Sequence, residues 1–175
     1  TSPYAEKVSS YLVEVYMNTR SYDAALKSID RIAKPSAQIL EAKQKILFQL
    51  GTQSFANADF EQALKYLNQS IAIGQYNRQT KADAYYWCGE SYYRLNRMVE
   101  AARDFNAYLQ LTTQPNNEMY ALANYNLGYI AFHRKDYTQA SNYFQKYVQL
   151  EKGENATALA DAYNRIGDCH LHVRN

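Results

Sequence analysis

Glycine, proline and cysteine are all scarce in this chain of 175 residues, which contains 6 glycines, 3 prolines and 2 cysteines. So few helix breakers disfavour an all-β sandwich and a glycine-rich nucleotide-binding site, and they favour long helices. Two cysteines cannot build a disulfide framework, and no unbroken apolar run of about 18 residues is present. We therefore expect a helical protein that needs no disulfides and does not insert into a membrane.

Charge of one sign is also lacking, since 19 Lys and Arg against 17 Asp and Glu give a formal net charge of +2. A nucleic-acid-binding protein normally presents a strongly basic surface. Single-stranded RNA binders do stack bases on tyrosines, but they combine those aromatics with a basic stripe. Nucleic acid is therefore not the expected partner.

Catalytic and metal-binding motifs are missing as well. No GxSxG, HExxH, GxxxxGK or GxGxxG string occurs, so neither a nucleophile elbow nor a phosphate loop is predicted. His170 and His172 are two positions apart and point to different sides of a helix, and Cys88 and Cys169 are better interpreted as small buried residues. We predict no enzyme, no cofactor and no metal.

Tyrosine, by contrast, is abundant, with 18 copies or about one residue in ten. The chain is also self-similar. Aligning an apolar residue followed by glycine gives Gly51, Gly89, Gly128 and Gly167, with Val13 as a degenerate first copy, at spacings of 38, 38, 39 and 39 residues. A second series of alanines follows Val13 and the first three glycines at a constant offset of 12: Ala25, Ala63, Ala101 and Ala140. A fixed offset inside each copy indicates one rigid supersecondary unit per copy.

Each copy contains two stretches with helical periodicity, one around the glycine and one around the alanine. Asp59 and Asp136 are each followed by a glutamine three residues later, which predicts N-caps between the two helices. The chain is thereby predicted to be a single array of nine helices. Its repeats are 4–38, 39–76, 77–115 and 116–154, followed by a half repeat at 155–175.

Glycine inside a helix costs about 1 kcal/mol relative to alanine, so the repeated glycines need a compensating role. We expect each glycine to face the alanine of its partner helix, so that the two helices approach closely and large neighbours close over the contact. One helical hairpin cannot bury both of its faces, which predicts stacking of successive hairpins into a solenoid. The large neighbours are Leu50, Tyr92, Phe105 and Phe144.

The pattern resembles the tetratricopeptide repeat over nearly the whole chain. The third copy has Tyr85, Cys88, Gly89, Tyr92, Ala101 and Phe105 at the family's positions, and the fourth has Asn124, Leu127, Gly128, Ala131, Ala140 and Phe144. The copies are longer than the family's usual repeat of about 34 residues, and the family's proline near the repeat end is missing or displaced, with Pro35 and Pro115 lying between copies. The resemblance implies an all-α, right-handed superhelical solenoid. Residues 82–93 also resemble repeats of bacterial envelope proteins such as the Tol-Pal coordinator, which favours an envelope or periplasmic location.

The resemblance further implies that the first helices of the hairpins line a concave groove that binds a peptide or a partner helix. At the family's ligand-reading positions the chain places Phe48, Thr52, Phe55, Tyr86, Glu90, Tyr93, Tyr125, Asn126, Tyr129, Phe132, Asn164 and Arg165. The tyrosines form an aromatic floor, unless some of them pack between hairpins instead. Acidic residues at Glu14, Glu90 and Asp168 favour a partner with Lys or Arg, the alternative being a solvated helix surface.

The function predicted from these patterns is a non-enzymatic protein interaction scaffold. The alternative is a structural spacer within a longer solenoid, with contacts made by its ends. The fifth copy stops after one helix, so we expect a fragment of a longer array with open apolar surface at α-helical residues 155–175. That surface makes end-to-end self-association possible.

Overall fold

The computed structural model describes residues 3–174, without the side chain of Tyr4. Over these residues the chain is entirely helical, with no strand. The nine helices are α1 (Pro3–Asn18), α2 (Tyr22–Asp30), α3 (Ala37–Ala56), α4 (Phe60–Ile73), α5 (Arg78–Arg94), α6 (Met98–Leu111), α7 (Glu118–His133), α8 (Tyr137–Leu150) and α9 (Ala156–Arg174), and a short 3-10 turn covers Gly74–Tyr76.

The helices form a solenoid of antiparallel hairpins. α1 packs on α2, α3 on α4, α5 on α6 and α7 on α8, and each second helix also packs on the first helix of the following hairpin, with α9 lying against α8. The first helices α3, α5 and α7 are thereby each covered by their own partner and by the preceding hairpin. The fold class predicted from the repeat is confirmed in the described part of the chain.

All four hairpins turn in the same way. One residue in each three-residue turn has a positive φ of 57° to 65°, namely Arg20, Ala58, Asn96 and Lys135. In the second hairpin the N–H of Ala58 donates to Phe55 O and that of Asp59 to Ser54 O, both at 2.9 Å, which is a Schellman closure of the helix end. The left-handed residue recurs with the same 38- and 39-residue spacing as the glycines, so the turn is part of the repeat.

The predicted N-caps are confirmed at both aspartates. The Asp59 carboxylate accepts the Gln62 N–H and the Asp136 carboxylate accepts the Gln139 N–H, each at 3.2 Å. These bonds satisfy backbone donors that an uncapped helix would leave free. The second helices α4 and α8 therefore begin where the sequence places their start.

Three of the repeated glycines lie where helices touch. A Cβ at Gly51 would lie 2.5 Å from Leu67, one at Gly89 would lie 2.7 Å from Phe105, and one at Gly128 would lie 2.8 Å from Phe144. No real Cβ tolerates such a distance, so the close approach requires glycine.

The nearest atoms belong to the large residue four positions after the repeat alanine, rather than to the alanine. Only at Gly51 does an alanine rank among the closest neighbours, through the Ala63 carbonyl oxygen at 3.4 Å. The expected glycine-to-alanine contact is thus corrected to a glycine-to-Leu or glycine-to-Phe contact. Ala63, Ala101 and Ala140 are themselves fully buried. Their small side chains allow the second helix to lie close to its neighbours.

Gly167 on α9 differs from the other three, since no atom lies within 4 Å of a Cβ placed there. The same helix carries Tyr163, Leu171 and Val173, whose exposed fractions are 58%, 62% and 59%. These residues lie on the part of α9 that does not face α8. We call the gap that a glycine leaves in the surface of its helix a notch. A side chain of the partner helix fills the notch at Gly51, Gly89 and Gly128, whereas no described residue fills the one at Gly167.

Both cysteines are free and fully buried, which agrees with their interpretation as small core residues. Burial raises the pKa of each thiol above its ordinary value, so both are held as neutral thiols. No helix in the described range 3–174 is long and apolar enough to cross a bilayer.

Candidate functional site

The first helices of successive hairpins, α3, α5, α7 and α9, lie side by side, and we call the surface that they share the inner face. α3 contacts α5 directly, and side-chain hydrogen bonds join α5 to α7 and α7 to α9. Of the twelve residues predicted to line a groove, ten are half-buried: Phe48, Thr52, Phe55, Glu90, Tyr93, Tyr125, Asn126, Tyr129, Phe132 and Arg165. Asn164 is exposed, and Tyr86 is buried.

The junction between α7 and α9 is built around Asp161. The hydroxyl groups of Tyr125 and Tyr129 both donate to Asp161 Oδ2, the first at 2.6 Å and the second in a very short bond. The two rings meet edge to face with centroids 5.3 Å apart. Two residues that the sequence assigned to the groove are thus held in fixed positions by a carboxylate of the next repeat.

The same junction keeps both tyrosines protonated. Burial, and next the hydrogen bond to Asp161, raises the pKa of Tyr129 to about 12 and also raises that of Tyr125. A neighbouring carboxylate disfavours a phenolate, because two like charges would then face each other. At neutral pH these hydroxyls therefore act as hydrogen-bond donors.

Arg165 lies beside this network on α9. Its Nη2 is 3.2 Å from Asp168 Oδ2, and its Nε is 3.8 Å from Asp161 Oδ1. The guanidinium carbon lies 5.8 Å from the ring centroid of Phe132, which is within cation–π range. The Nε atom is buried and makes no hydrogen bond. Phe132 and Arg165, which were predicted from separate repeats, are brought together by the stacking of α7 and α9.

The junction between α5 and α7 is built around Glu90. Its Oε1 accepts the Tyr86 hydroxyl at 3.0 Å and the Asn126 amide at 2.6 Å. Both donors are neutral, so they orient the carboxylate without cancelling its charge. Glu90 and Asn126 were both predicted as groove residues, and the structure places them in contact.

Tyr86 is placed differently from the prediction that it lines the groove. It is only 3% exposed, and its ring packs 5.1 Å from Trp87, 5.7 Å from Phe105 and 5.4 Å from Tyr108. The position three residues before the glycine faces the second helix of the same hairpin. Tyr86 is therefore a core residue, and only its hydroxyl reaches the inner face.

The part of the inner face nearer the N-terminus is more apolar. The Phe55 ring lies 5.2 Å from Phe60 and 4.9 Å from Trp87, and the Arg94 guanidinium lies 5.6 Å from it. Phe48 and Tyr93 pack against the hydrophobic core formed by buried residues of α4, α5, α6 and α7. Thr52 donates to Gln49 O at 3.0 Å within its own helix, so its hydroxyl is already engaged.

A polar cleft of about 450 Å³ lies where the start of α7 meets the end of α8 and the start of α9. Sequence reasoning did not predict it. The signal was present in the two polar segments between repeats, which stacking brings side by side. Its lining residues are Asn116, Asn117, Glu118, Ala121, Leu122, Tyr147, Leu150, Glu151, Lys152, Glu154 and Asn155.

These surfaces offer fixed acceptors, donors and aromatic rings, which are the groups that bind a polypeptide. Within residues 3–174, no group of three or more His, Cys, Asp or Glu side chains could hold a metal ion.

Comparison with known families gives two matches, both described as the tetratricopeptide repeat, over residues 48–118 and 121–153. Comparison with curated proteins gives no match.

Several solved structures are similar to the chain. A crystal structure of MamA protein has a TM-score of 0.61 and 17% identity, covering 97% of this chain and 87% of that one. BtubC (BKLC) from P. vanneervenii has a TM-score of 0.64 and 13% identity, covering 94% and 71%. YrrB, described as a TPR protein with an unusual peptide-binding site, has a TM-score of 0.62 and 16% identity, covering 93% and 75%. At these identities the likeness shows the fold alone.

Proposed function

The chain belongs to the tetratricopeptide-repeat family, and from that premise we propose that its inner face binds an extended or helical segment of a partner protein. Family membership supports protein interaction as the class of function, because stacked helical repeats form extended binding surfaces. We further propose that the repeats at 4–38, 39–76, 77–115, 116–154 and 155–175 act as one array, with no catalytic step.

The observation that carries the proposal is the way α7 is joined to both of its neighbours. Asn126 reaches Glu90 on α5, and Tyr129 reaches Asp161 on α9. Side chains that are already fixed lose little conformational entropy on binding, which favours affinity. Aromatic residues add large contact areas with few rotatable bonds, and they are enriched in protein interfaces.

The experiment is a selection from a random peptide library against the purified protein. Enriched peptides are then measured against the wild type and against Tyr93→Ser and Phe132→Ser on the inner face. Val99→Ser is the matched control, because Val99 is a 71% exposed apolar residue on the second helix α6. We expect weaker binding for the two inner-face variants and unchanged binding for the control.

A second readout does not depend on how well the variants fold. Amide chemical shifts of the wild-type protein are recorded with and without the selected peptide. Changes concentrated in α5, α7 and α9 support the proposal. Changes confined to the second helices, or equal binding by all three variants, contradict it.

A spacer function is the second candidate, and it is favoured by the exposed face of α9. Three of the six exposed large apolar residues of the described chain lie on that helix. In this case Tyr163→Ser and Leu171→Ser change association of the protein with itself or with a partner, whereas the inner-face variants do not. Sedimentation of wild type and variants over a range of concentrations separates the two functions.

A further inference from the structure

Charge is distributed unevenly over the molecule. The whole chain carries +2, yet the sides of α5 and α9 that carry Glu90 and Asp161 hold Asp83, Glu90, Asp161 and Asp168 against Arg94 and Arg165, all spaced by three, four or seven residues along one helix side. The adjoining cleft contributes Glu118, Glu151 and Glu154 against Lys152. The half of the inner face between α5 and α9 is thus negative on a protein that is positive overall. This contrast favours a cationic ligand for that half.

The carboxylates at the centre of this half are oriented by neutral donors. Glu90 accepts from Tyr86 and Asn126, and Asp161 accepts from two tyrosine hydroxyls. Hydrogen bonds from neutral donors fix a carboxylate and leave its negative charge in place. Glu90 Oε1 and Asp161 Oδ2 each accept two of these bonds already, so an incoming cation would meet the other oxygen of each carboxylate, whose position is set by the bonds to the first.

Arg165 shows how a cation is held on this surface. Its guanidinium lies near the ring of Phe132, with Asp161 and Asp168 within 4 Å. Its Nε, however, is buried without a hydrogen bond, so the arrangement leaves one donor unsatisfied. Arg165 thus pairs with both Asp161 and Asp168, but its Nε–H makes no hydrogen bond to either carboxylate.

The cations of the inner face are poorly available to an acidic ligand. Arg165 is engaged by two carboxylates, and Arg94 lies over the ring of Phe55. An acidic segment would face Glu90 and Asp168, and of the two inner-face arginines only the exposed Arg94 is held by no carboxylate. The charges of this half of the inner face therefore favour a positively charged ligand.

Building on the proposed function, we infer that the partner segment bound between α5 and α9 is basic. Its Lys or Arg side chains pair with Glu90, Asp161 and Asp168, and their aliphatic stems lie along Tyr129 and Phe132. Arg165 acts as an internal competitor for Asp161 and Asp168. Its removal is expected to strengthen binding of the basic segment.

The test uses labelled synthetic peptides based on a sequence selected from the random library. The central residues are arginine in one peptide, glutamine in the second and glutamate in the third. We expect the arginine peptide to bind the wild type about tenfold more tightly than the glutamine peptide, and the glutamate peptide to bind most weakly. The preference is expected to fall as salt is raised.

Variants locate the effect. Glu90→Gln and Asp168→Asn are each expected to weaken binding of the arginine peptide about three- to tenfold, with little change for the glutamine peptide. Arg165→Met is expected to strengthen binding of the arginine peptide by a similar factor. Glu61→Gln, which removes an exposed carboxylate of the second helix α4, is the matched control and leaves all three affinities unchanged.

The opposite result for Arg165→Met overturns the inference, since weaker binding would mean that Arg165 itself contacts the ligand. Equal binding of all three peptides also overturns it, but leaves the proposed function intact if Tyr93→Ser and Phe132→Ser still weaken that binding. If all three peptides bind equally and Tyr93→Ser and Phe132→Ser do not weaken binding, the proposed function is overturned as well. If Arg165→Met does not fold, as judged by circular dichroism, Glu90→Gln and Asp168→Asn decide the question.

Discussion

Helices α7 and α9 carry the same mark in sequence, an apolar residue followed by glycine, and meet opposite surroundings in the structure. Gly128 on α7 is closed over by Phe144, which would lie 2.8 Å from a Cβ placed there. Gly167 on α9 has nothing within 4 Å. The comparison teaches that the repeat creates a notch in each first helix, and that only a partner helix turns the notch into a packing contact.

The two sides of α9 repeat this contrast within one helix. One side joins α7 and α8 through Asp161, Arg165 and the buried Cys169. The other side exposes Tyr163 and Gly167 to solvent. Substitutions on the filled and the open sides are therefore expected to differ in size and even in sign.

The largest loss of stability is expected when the side chain that fills a notch is truncated. Phe144→Ala should lower the free energy of unfolding by about 3–5 kcal/mol, because the side chain is fully buried and its loss leaves a cavity. Chemical denaturation followed by circular dichroism measures the loss. Val99→Ala, at a 71% exposed position, serves as the control and should change stability by less than about 0.5 kcal/mol. A Phe144 variant as stable as this control would show that the notch is not a packing contact.

A smaller loss of stability is expected when a methyl group is added at a filled notch. Gly128→Ala introduces a methyl group against Phe144, and overpacking of this kind costs about 1–3 kcal/mol, partly offset by the better helix propensity of alanine. In a Phe144→Leu background the loss should shrink, because the smaller side chain leaves room. Thermal and chemical unfolding of the single and double variants measures this coupling. Additive effects would separate Gly128 from Phe144.

The open notch predicts the opposite sign. Gly167→Ala should raise stability by up to about 1 kcal/mol, since alanine is the better helix former and meets no neighbour. The comparison with Gly128→Ala is made in the same denaturation assay. A destabilised Gly167→Ala variant, particularly at high protein concentration, would reveal that a second molecule occupies the notch.

The smallest effect concerns the filled side of α9 at alkaline pH. Tyr129 ordinarily titrates at 10.0, and burial followed by the Asp161 hydrogen bond raises its pKa to about 12 in the folded chain. The unfolded chain therefore loses this proton first. The stabilising contribution is complete below pH 10 and is lost as pH rises from about 10 through about 12.

Denaturation curves of the wild type and Tyr129→Phe over this pH range test the point. The wild type should lose stability more steeply than the phenylalanine variant, which has no hydroxyl to ionise. Parallel pH profiles would mean that the Tyr129 hydroxyl is not held by Asp161 in solution.

Much of the fold was predictable, because the signals lie within single repeats. The glycines at 51, 89 and 128, the alanines that follow them and the caps at Asp59 and Asp136 each report on contacts inside one hairpin. A hairpin folds from residues close in sequence, so its marks recur at a constant offset. Ten of the twelve residues predicted for the groove are half-buried, and their part in binding stays a prediction.

The site was predicted less completely, because its geometry depends on contacts between repeats. Tyr86 and Tyr125 occupy equivalent positions in successive repeats, yet only Tyr86 is buried. Both rings pack on the second helix of their own hairpin, Tyr86 on Phe105 and Tyr108 and Tyr125 on Phe144 and Tyr147. Their hydroxyl groups differ, because that of Tyr86 bonds to Glu90 within α5 and that of Tyr125 bonds to Asp161 on α9. A single repeat contains no information about a hydrogen-bond partner that the next repeat supplies.

The sequence by itself determined the all-helical array, its period and the places where two helices approach closely, because steric exclusion at a small residue acts over a few ångströms within one hairpin. Only the tertiary structure decided which notches are filled, which tyrosines are buried and which carboxylates share a face. Those features arise from the stacking of one hairpin on the next, and stacking joins residues roughly one period apart whose mutual orientation depends on the packing of every helix between them.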